Sequence, residues 1–287
     1  MIYKIENEFL SVAVSSHGAE LQSIIYKDRE YLWQGKSEYW GDRAPVLFPI
    51  VGRPKDGVID VDGKTYPITI HGFAKHREFS LAEKSDSALT LELCADDETK
   101  KLYPFDFKFR VSYALCENKI INTFEIVNTD SRDIYFNLGA HPGFAISENI
   151  RDWELIFDPS EKLRTLTCTK EVFIDRVNRA DIPAKDGRVA LSRKLFENDA
   201  LIFDDLKCHK ITLSCKTAPC GVTVEFDDFP EVGIWTRPTD GADYVCLEPW
   251  CGMGYTIGET SVLKEKRSII TLDPGEKCKK EMQITLF

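Results

Sequence analysis

The sequence predicts an all-β fold, because apolar and polar residues alternate in run after run along the chain. Residues 107–115 alternate phenylalanine, valine, tyrosine and leucine with mostly polar residues, and the same period of two recurs at 89–93, 222–226 and 282–286. This alternation puts apolar side chains on one face of a strand and polar ones on the other. Asp-Gly and Pro-Gly turn signals separate such runs, and no long window carries a helical apolar stripe. Together these observations predict an antiparallel sandwich or barrel.

The other elements are predicted from shorter β-branched and aromatic runs between turn signals. We expect strands at 10–14, 20–26, 66–70, 119–127, 134–138, 153–157, 200–203, 210–213, 232–235, 244–247 and 268–272, and one short helix within 192–198. No Ser/Gly-rich linker interrupts the chain, and the strand pattern continues across its midpoint. Residues 1–287 are therefore predicted to form a single domain.

Charge and hydropathy exclude several classes of partner. The 287 residues include 37 Lys and Arg against 47 Asp and Glu, a formal net charge of −10. An acidic chain without a basic cluster has no electrostatic footprint for nucleic acid or anionic lipid. The densest apolar stretch, 44–51, contains two prolines and is far shorter than the ~20 residues that span a bilayer. With no signal-peptide pattern at the start, we predict a cytoplasmic protein that binds neither nucleic acid nor membrane.

The cysteines and the motif content predict neither disulfides, nor a metal, nor a cofactor. Nine cysteines are an odd number and include no Cys-x-x-Cys pair, which favours free thiols in a reducing compartment. The loose cluster of Cys208, His209, Cys215 and Cys220 lacks the usual spacing of zinc ligands. His-Glu-x-x-His and phosphate-loop motifs are absent from the sequence.

Two residues stand at predicted strand ends beside a proline. His141 is followed by Pro142, which restricts the histidine to extended conformations and so limits its direction. Glu248 follows an apolar strand and precedes Pro249, and burial there would raise the carboxyl pKa towards the range useful for a general base. The alternative is structural: a strand-end histidine bonded to a carbonyl, and a glutamate that is the first solvated residue after its strand.

The segments PIVGR (49–53), HGF (71–73), NLGAHPGF (137–144), GIWT (233–236) and CLEPW (246–250) occur in this order. Together they resemble the aldose 1-epimerase (galactose mutarotase) family, and most closely its bacterial LacX-like branch. The resemblance runs from about residue 11 to residue 287. It implies a large antiparallel β-supersandwich of the galactose mutarotase type.

The resemblance also implies roles for individual residues. Glu248 corresponds to the catalytic base and His141 to the catalytic acid, while His71 and Arg53 correspond to residues that hold the substrate hydroxyls and ring oxygen. Asp199, in the segment NDALIF, corresponds to a hydroxyl-binding acid, although Ala-Leu replaces the family's His-Pro after it. His141 is followed by Pro-Gly where galactose enzymes usually carry Pro-Tyr.

The function implied is interconversion of the α and β anomers of a hexose by general acid/base catalysis, without metal or cofactor. A first alternative is a hexose-6-phosphate 1-epimerase, which needs extra cations at the pocket rim, with Arg43 and Lys75 as candidates. A second is a non-catalytic carbohydrate-binding protein, since sandwich folds commonly host lectins. A third is a glycoside hydrolase, which normally needs two carboxylates flanking the bond.

Overall fold

The computed structural model describes residues 1–147 and 149–287, and strands hold 48% of the chain against 7% in helical turns. The strands of the first half are β1 (Ile2–Glu6), β2 (Leu10–Ser15), β3 (Leu21–Tyr26), β4 (Arg29–Glu30), β5 (Val46–Leu47), β6 (Val58–Val61), β7 (Lys64–Pro67), β8 (Ser80–Lys84), β9 (Ala88–Cys94), β10 (Phe107–Cys116), β11 (Lys119–Asn128), β12 (Ile134–Phe136), β13 (Leu138–Ala140) and β14 (Gly143–Ala145). Those of the second half are β15 (Trp153–Ile156), β16 (Arg164–Cys168), β17 (Ile174–Asp181), β18 (Arg188–Ala190), β19 (Leu201–Phe203), β20 (Lys210–Cys215), β21 (Gly221–Glu225), β22 (Glu231–Trp235), β23 (Tyr244–Cys251), β24 (Ile270–Leu272) and β25 (Lys277–Leu286).

Helical structure is confined to short turns. The one α-helix in the described residues, α1 (Asp97–Lys100), begins where the Asp96 carboxylate accepts a hydrogen bond from the Thr99 N–H at 2.7 Å. The 3-10 turns are Lys55–Gly57, Ala74–His76, Ile150–Asp152, Arg193–Phe196 and Leu263–Glu265. The helix expected within 192–198 is thus a single 3-10 turn. No helix in the described ranges is long and apolar enough to cross a membrane.

Two large antiparallel sheets share one apolar core. One has nine strands in the order β18-β15-β20-β21-β25-β11-β10-β9-β8, and the other runs β17-β16-β19-β22-β23-β13-β5, with β14 also paired to β23. Phe109 and Phe124 of the first sheet belong to the same buried cluster as Ile234 and Leu247 of the second. Smaller sheets are formed by β1–β4, by β6 with β7 and by β12 with β24. The prediction of an all-β antiparallel sandwich is confirmed.

Side-chain alternation decides which face of each strand enters the core. Strands β10 and β11 pair in the register Val111↔Phe124, and buried residues alternate with partly exposed ones along both. Each buried aliphatic or aromatic side chain stabilises the fold by ~1.5–3 kcal/mol relative to exposure. The apolar pattern that predicted these strands therefore also holds the two sheets together.

Several predicted strand boundaries were wrong, and the errors at 66–70 and 244–247 lie beside residues that line the cleft described below. Strand β7 ends at Pro67, so 68–70 are not in a strand, and 134–138 is divided between β12 and β13. Strand β23 continues through Cys251, which places Glu248 inside a strand and not after its end. Every residue of β23 is buried because β22 pairs along one edge, while β13 and β14 pair along the other. That two-sided pairing carries the strand past the glutamate and the proline.

Candidate active site

Strand β23 separates the protein core from a cleft of about 890 Å³. Its residues alternate, as a strand requires: Val245 and Leu247 enter the central core, while Glu248 and Trp250 line the cleft. Only 2% of Glu248 is exposed. A carboxylate therefore lies on the floor of a cavity whose size suits a small ligand.

Strand register places His141 directly across from this carboxylate. On β13, Gly139 pairs with Trp250, and on β14, Gly143 pairs with Cys246. Continuing this register through the interruption at Pro142 sets position 141 opposite position 248, and opposite side chains on one face of a sheet lie close together. His141 Nε2 is 3.1 Å from Glu248 Oε2. The two residues expected to act as acid and base are thus a cross-strand pair.

Two glycines make room for the aromatic residues around His141. A Cβ at Gly139 would lie 2.8 Å from the ring of Trp250, and a Cβ at Gly143 would lie 2.6 Å from the ring of Trp40. Trp40 packs on His141 with ring centroids 4.9 Å apart and an interplanar angle of 31°. Gly143 therefore leaves room for the indole of Trp40 against His141, and Gly139 leaves room for Trp250 on the paired strand.

Burial shifts both members of the pair towards their neutral forms. Burial lowers the pKa of His141 well below its usual range, and the nearby His71 adds to this. Burial raises the pKa of Glu248 well above its usual range, and the charge of Asp199 adds to this. His141 Nε2 and Glu248 Oε2 lie 3.1 Å apart, so the protonation of one group affects the protonation of the other.

His71 has an unusual backbone conformation, and one of its two ring nitrogens accepts a hydrogen bond from the protein. Its backbone has a φ of 64°, in the left-handed region, and Gly72 follows with a φ of 76°. The Gly52 N–H donates to His71 Nδ1 at 3.1 Å, which leaves the proton on Nε2. Burial, reinforced by Lys75, lowers the pKa of His71 to about 3. A neutral His71, with its ring 5.3 Å from that of His141, is therefore equipped to donate a hydrogen bond to a ligand.

Arg53 and Asp199 also line the cleft. Arg53 is exposed, whereas Asp199 is partly buried. Asp199 has a φ of 80°, and its carboxylate accepts a hydrogen bond from the Ala200 N–H at 2.8 Å. Burial raises the pKa of Asp199. The five residues singled out in the sequence thus meet in one cavity.

Arg43 and Lys75, the two residues suggested to bind a phosphate group, differ in their position relative to the cleft. Arg43 is not among the residues that line the cleft, and its guanidinium donates to Gln22 O and to Gln34 Oε1. Lys75 does line the cleft, but it forms an ion pair with Asp42 at 2.7 Å. The suggestion that Arg43 lies at the pocket rim was wrong, because its side chain is hydrogen-bonded to Gln22 and Gln34 instead.

Sequence reasoning missed several residues of this site. Trp40 lies in a segment without alternation, so no local pattern indicates its contact with His141. Trp235 packs edge-on against His141 with ring centroids 5.9 Å apart; it pairs with Cys246 in the β22–β23 register. Cys246 was assigned only to an apolar strand, yet its sulfur lies with His141 and Glu248 in a group whose candidate metal-ligand atoms are all within 4.8 Å. These contacts become visible only in the tertiary structure.

Comparison with known proteins agrees with this geometry. The family model described as aldose 1-epimerase matches residues 1–285. The chromosomal protein LacX of Lactococcus lactis is 31% identical over 303 residues, covering 100% of both chains. A putative glucose-6-phosphate 1-epimerase of Escherichia coli is 27% identical over 68% of this chain and 64% of its own length.

Solved structures show the same architecture. A galactose mutarotase related enzyme from Lactobacillus acidophilus superposes with a TM-score of 0.94 at 37% identity, covering 100% of this chain and 97% of that one. The expected galactose mutarotase-like β-supersandwich is confirmed by this likeness. Both the full-length sequence match and the shared architecture lead to one assignment: the chain belongs to the aldose 1-epimerase family.

Proposed function

We propose that the protein is a mutarotase that interconverts the α and β anomers of a free aldohexose, with His141 as general acid and Glu248 as general base. The observation that carries this proposal is the buried contact of 3.1 Å between these two side chains at the floor of the cleft. Pure binding of a sugar does not require a desolvated acid/base pair that shares one proton. A non-catalytic carbohydrate-binding protein is therefore the weaker alternative.

The proton count of the pair matches the reaction. Burial favours the state with the proton on Glu248; once that proton has moved to His141, Glu248 is a carboxylate that can take the proton of the anomeric hydroxyl while His141 protonates the ring oxygen. The C1–O5 bond breaks and the C1–O1 bond becomes a carbonyl. The pair ends with its proton on Glu248, so ring opening moves one proton from the imidazole to the carboxylate by way of the sugar.

Ring closure runs the same steps in reverse. Rotation about the C1–C2 bond turns the other face of the aldehyde towards the C5 hydroxyl. His141 takes the hydroxyl proton as the ring closes, and Glu248 returns its proton to O1. Each positioned acid or base typically contributes ~10²–10⁴-fold to rate, and the pair leaves the cycle with its proton where it started.

The remaining cleft residues are proposed to position the sugar. The Nε2–H of neutral His71 donates to a ring or hydroxyl oxygen, as does the exposed Arg53, and the Asp199 carboxylate accepts from a hydroxyl. Trp40 and Trp235, which pack around His141, exclude water from the acid/base pair. Exclusion of water strengthens both proton transfers, because charges are less screened in a dry site.

We also propose that residues 1–287 act as one domain in the cytoplasm. A single buried cluster extends from Ile5 to Leu286, which supports the first statement. All nine cysteines are free thiols, which is typical of a reducing compartment and supports the second.

A hexose 6-phosphate is the second candidate substrate, and the cations of the cleft favour it. Arg53, Lys170 and Arg237 line the cleft, and in the part of the chain that the structure describes none of them forms an ion pair. Unpaired cations at a pocket in a chain of net charge −10 suit an anionic group on the ligand. The comparison with the Escherichia coli protein points in the same direction.

Anomer-exchange NMR tests both candidates. Catalysed exchange is measured on glucose, galactose and their 6-phosphates, each against its spontaneous rate. An enzyme for free sugars accelerates exchange of glucose or galactose at least as much as exchange of the corresponding 6-phosphate. If the substrate is phosphorylated, the 6-phosphates are preferred and the Lys170→Ala/Arg237→Ala double variant loses that preference while retaining its rate on free sugars. Absence of acceleration with every sugar contradicts the proposed function.

A further inference from the structure

A thiol that the proposed reaction does not use lies behind the acid/base pair. Cys246 precedes Glu248 by two residues on β23 and shares its face of the sheet. Its side chain is completely buried, and Gly143 is directly across from it on β14. One ligand atom each from His141, Cys246 and Glu248 lie within 4.8 Å of one another.

These three atoms form a set that suits zinc. Imidazole nitrogen, thiolate sulfur and carboxylate oxygen are its usual protein ligands, and three of them with one open position make a typical accessible site. Tetrahedral zinc with bonds of ~2.0–2.3 Å separates its ligand atoms by roughly 3.3–3.6 Å. The nitrogen–oxygen distance of 3.1 Å is already close to this. The sulfur lies within 4.8 Å of the other two atoms, so it needs to approach them by about 1 Å to bind the same ion.

The second nitrogen of the His141 imidazole makes no hydrogen bond to the described part of the protein. His141 is 7% exposed, and its Nδ1 is buried without a hydrogen-bond partner among the described residues. No protein hydrogen bond therefore has to break at Nδ1 when the ring adjusts to a metal ion. The open position of the metal faces the cleft, since His141 and Glu248 both line it and Cys246 lies behind them.

We propose that Zn²⁺ binds between His141, Cys246 and Glu248 and reversibly inhibits the enzyme. The ion displaces both the proton shared by the acid and the base and the proton of the thiol, and both protons leave to solvent. Both groups then lose the lone pairs with which they move protons to and from the sugar. The inhibition rests on the proposed function, whereas the metal site itself does not.

Two measurements on the full-length protein test this site. The first is inhibition of anomer exchange by ZnCl₂ in a non-chelating buffer, followed by EDTA. The second is the absorption of the Co²⁺-loaded protein, where a thiolate ligand produces a charge-transfer band in the near ultraviolet. Each is made on wild type, Cys246→Ser and Cys246→Ala. The matched control is Cys251→Ser, which removes another buried thiol of β23 that contacts Asp228 O at 3.6 Å.

Wild type and Cys251→Ser are expected to be inhibited by Zn²⁺, to recover with EDTA and to show the thiolate–cobalt band. Loss of an outer partner of a metal ligand costs ~10–100-fold in affinity, so removal of the Cys246 ligand itself is expected to weaken inhibition at least ~10-fold and to abolish the band. Equal zinc sensitivity in wild type and in whichever Cys246 variant folds overturns the proposal, as does a cobalt spectrum without a thiolate band. The cobalt measurement decides the metal site even if no sugar is turned over.

Discussion

Replacing Glu248 with glutamine separates its chemical role from its structural one. Glutamine has nearly the same size, so the packing against Trp250 is preserved, and its amide can donate to His141 Nε2 across the same 3.1 Å contact. A neutral amide cannot accept the anomeric proton. We therefore expect Glu248→Gln to fold normally and to bind the sugar within about tenfold of wild type, while losing catalysis.

The size of the loss follows from burial. A positioned base contributes ~10²–10⁴-fold. Because Glu248 is only 2% exposed, water does not readily replace the missing carboxylate. We therefore expect a fall of ~10³–10⁴-fold, or about 4–5.5 kcal/mol in transition-state stabilisation. The free energy of unfolding should change by less than about 1 kcal/mol, since the contact with His141 is retained in neutral form.

The assay is anomer-exchange NMR on whichever of the candidate sugars the wild-type protein accelerates most, with thermal melting of the same samples. Glu231→Gln is the control, because Glu231 is also buried but accepts bonds from Gly252 N–H and from Arg267 outside the cleft. This control should lose about 1–3 kcal/mol of stability and keep its rate per folded molecule. If well-folded Glu248→Gln retains wild-type activity, Glu248 is not the base and the proposed mechanism fails.

Four further outcomes are expected. His141→Asn should fold but lose at least ~10²-fold in rate, and a variant that melts early with normal activity per folded molecule would mean a structural role instead. Since burial lowers the pKa of His141, the acid limb of kcat/KM should lie below the ordinary histidine value of ~6.5; an acid limb above that value contradicts the shared-proton pair. Prolonged EDTA treatment should leave anomer exchange unchanged, and activity restored by a divalent ion would contradict the metal-free reaction. Arg53→Ala should raise KM more than it lowers kcat in steady-state kinetics, while an unchanged KM removes Arg53 from substrate binding.

The strands with clear alternation could be predicted from the sequence because their signal is local, whereas others, such as β16 and β17, were not predicted. Alternation along 107–115 matches the buried and partly exposed faces of β10, since a pleated strand turns each successive side chain to the opposite side. Turn residues act over two to four positions in the same way. The fold class was therefore determined by interactions between near neighbours in the chain.

The chemistry-bearing residues were also marked locally, by histidine or glutamate beside proline in apolar segments. The residues that surround them in space were not marked by any local pattern. Trp40 carries no periodic signal, and His71, which has a positive φ, is in contact with the Gly52 N–H from a different segment. Glu248 was expected past a strand end because proline usually terminates a strand, whereas pairing on both sides continues β23 through it.

What the sequence indicated by itself is thus the all-β class, the family and the two candidates for the acid and the base. The tertiary structure decided that His141 lies across from Glu248 and that Cys246 lies behind both. Strand order and register depend on which pairing of distant segments buries the most apolar surface and satisfies the most backbone hydrogen bonds. That choice is made by the whole chain at once, so no local pattern around residue 141 or residue 248 contains it.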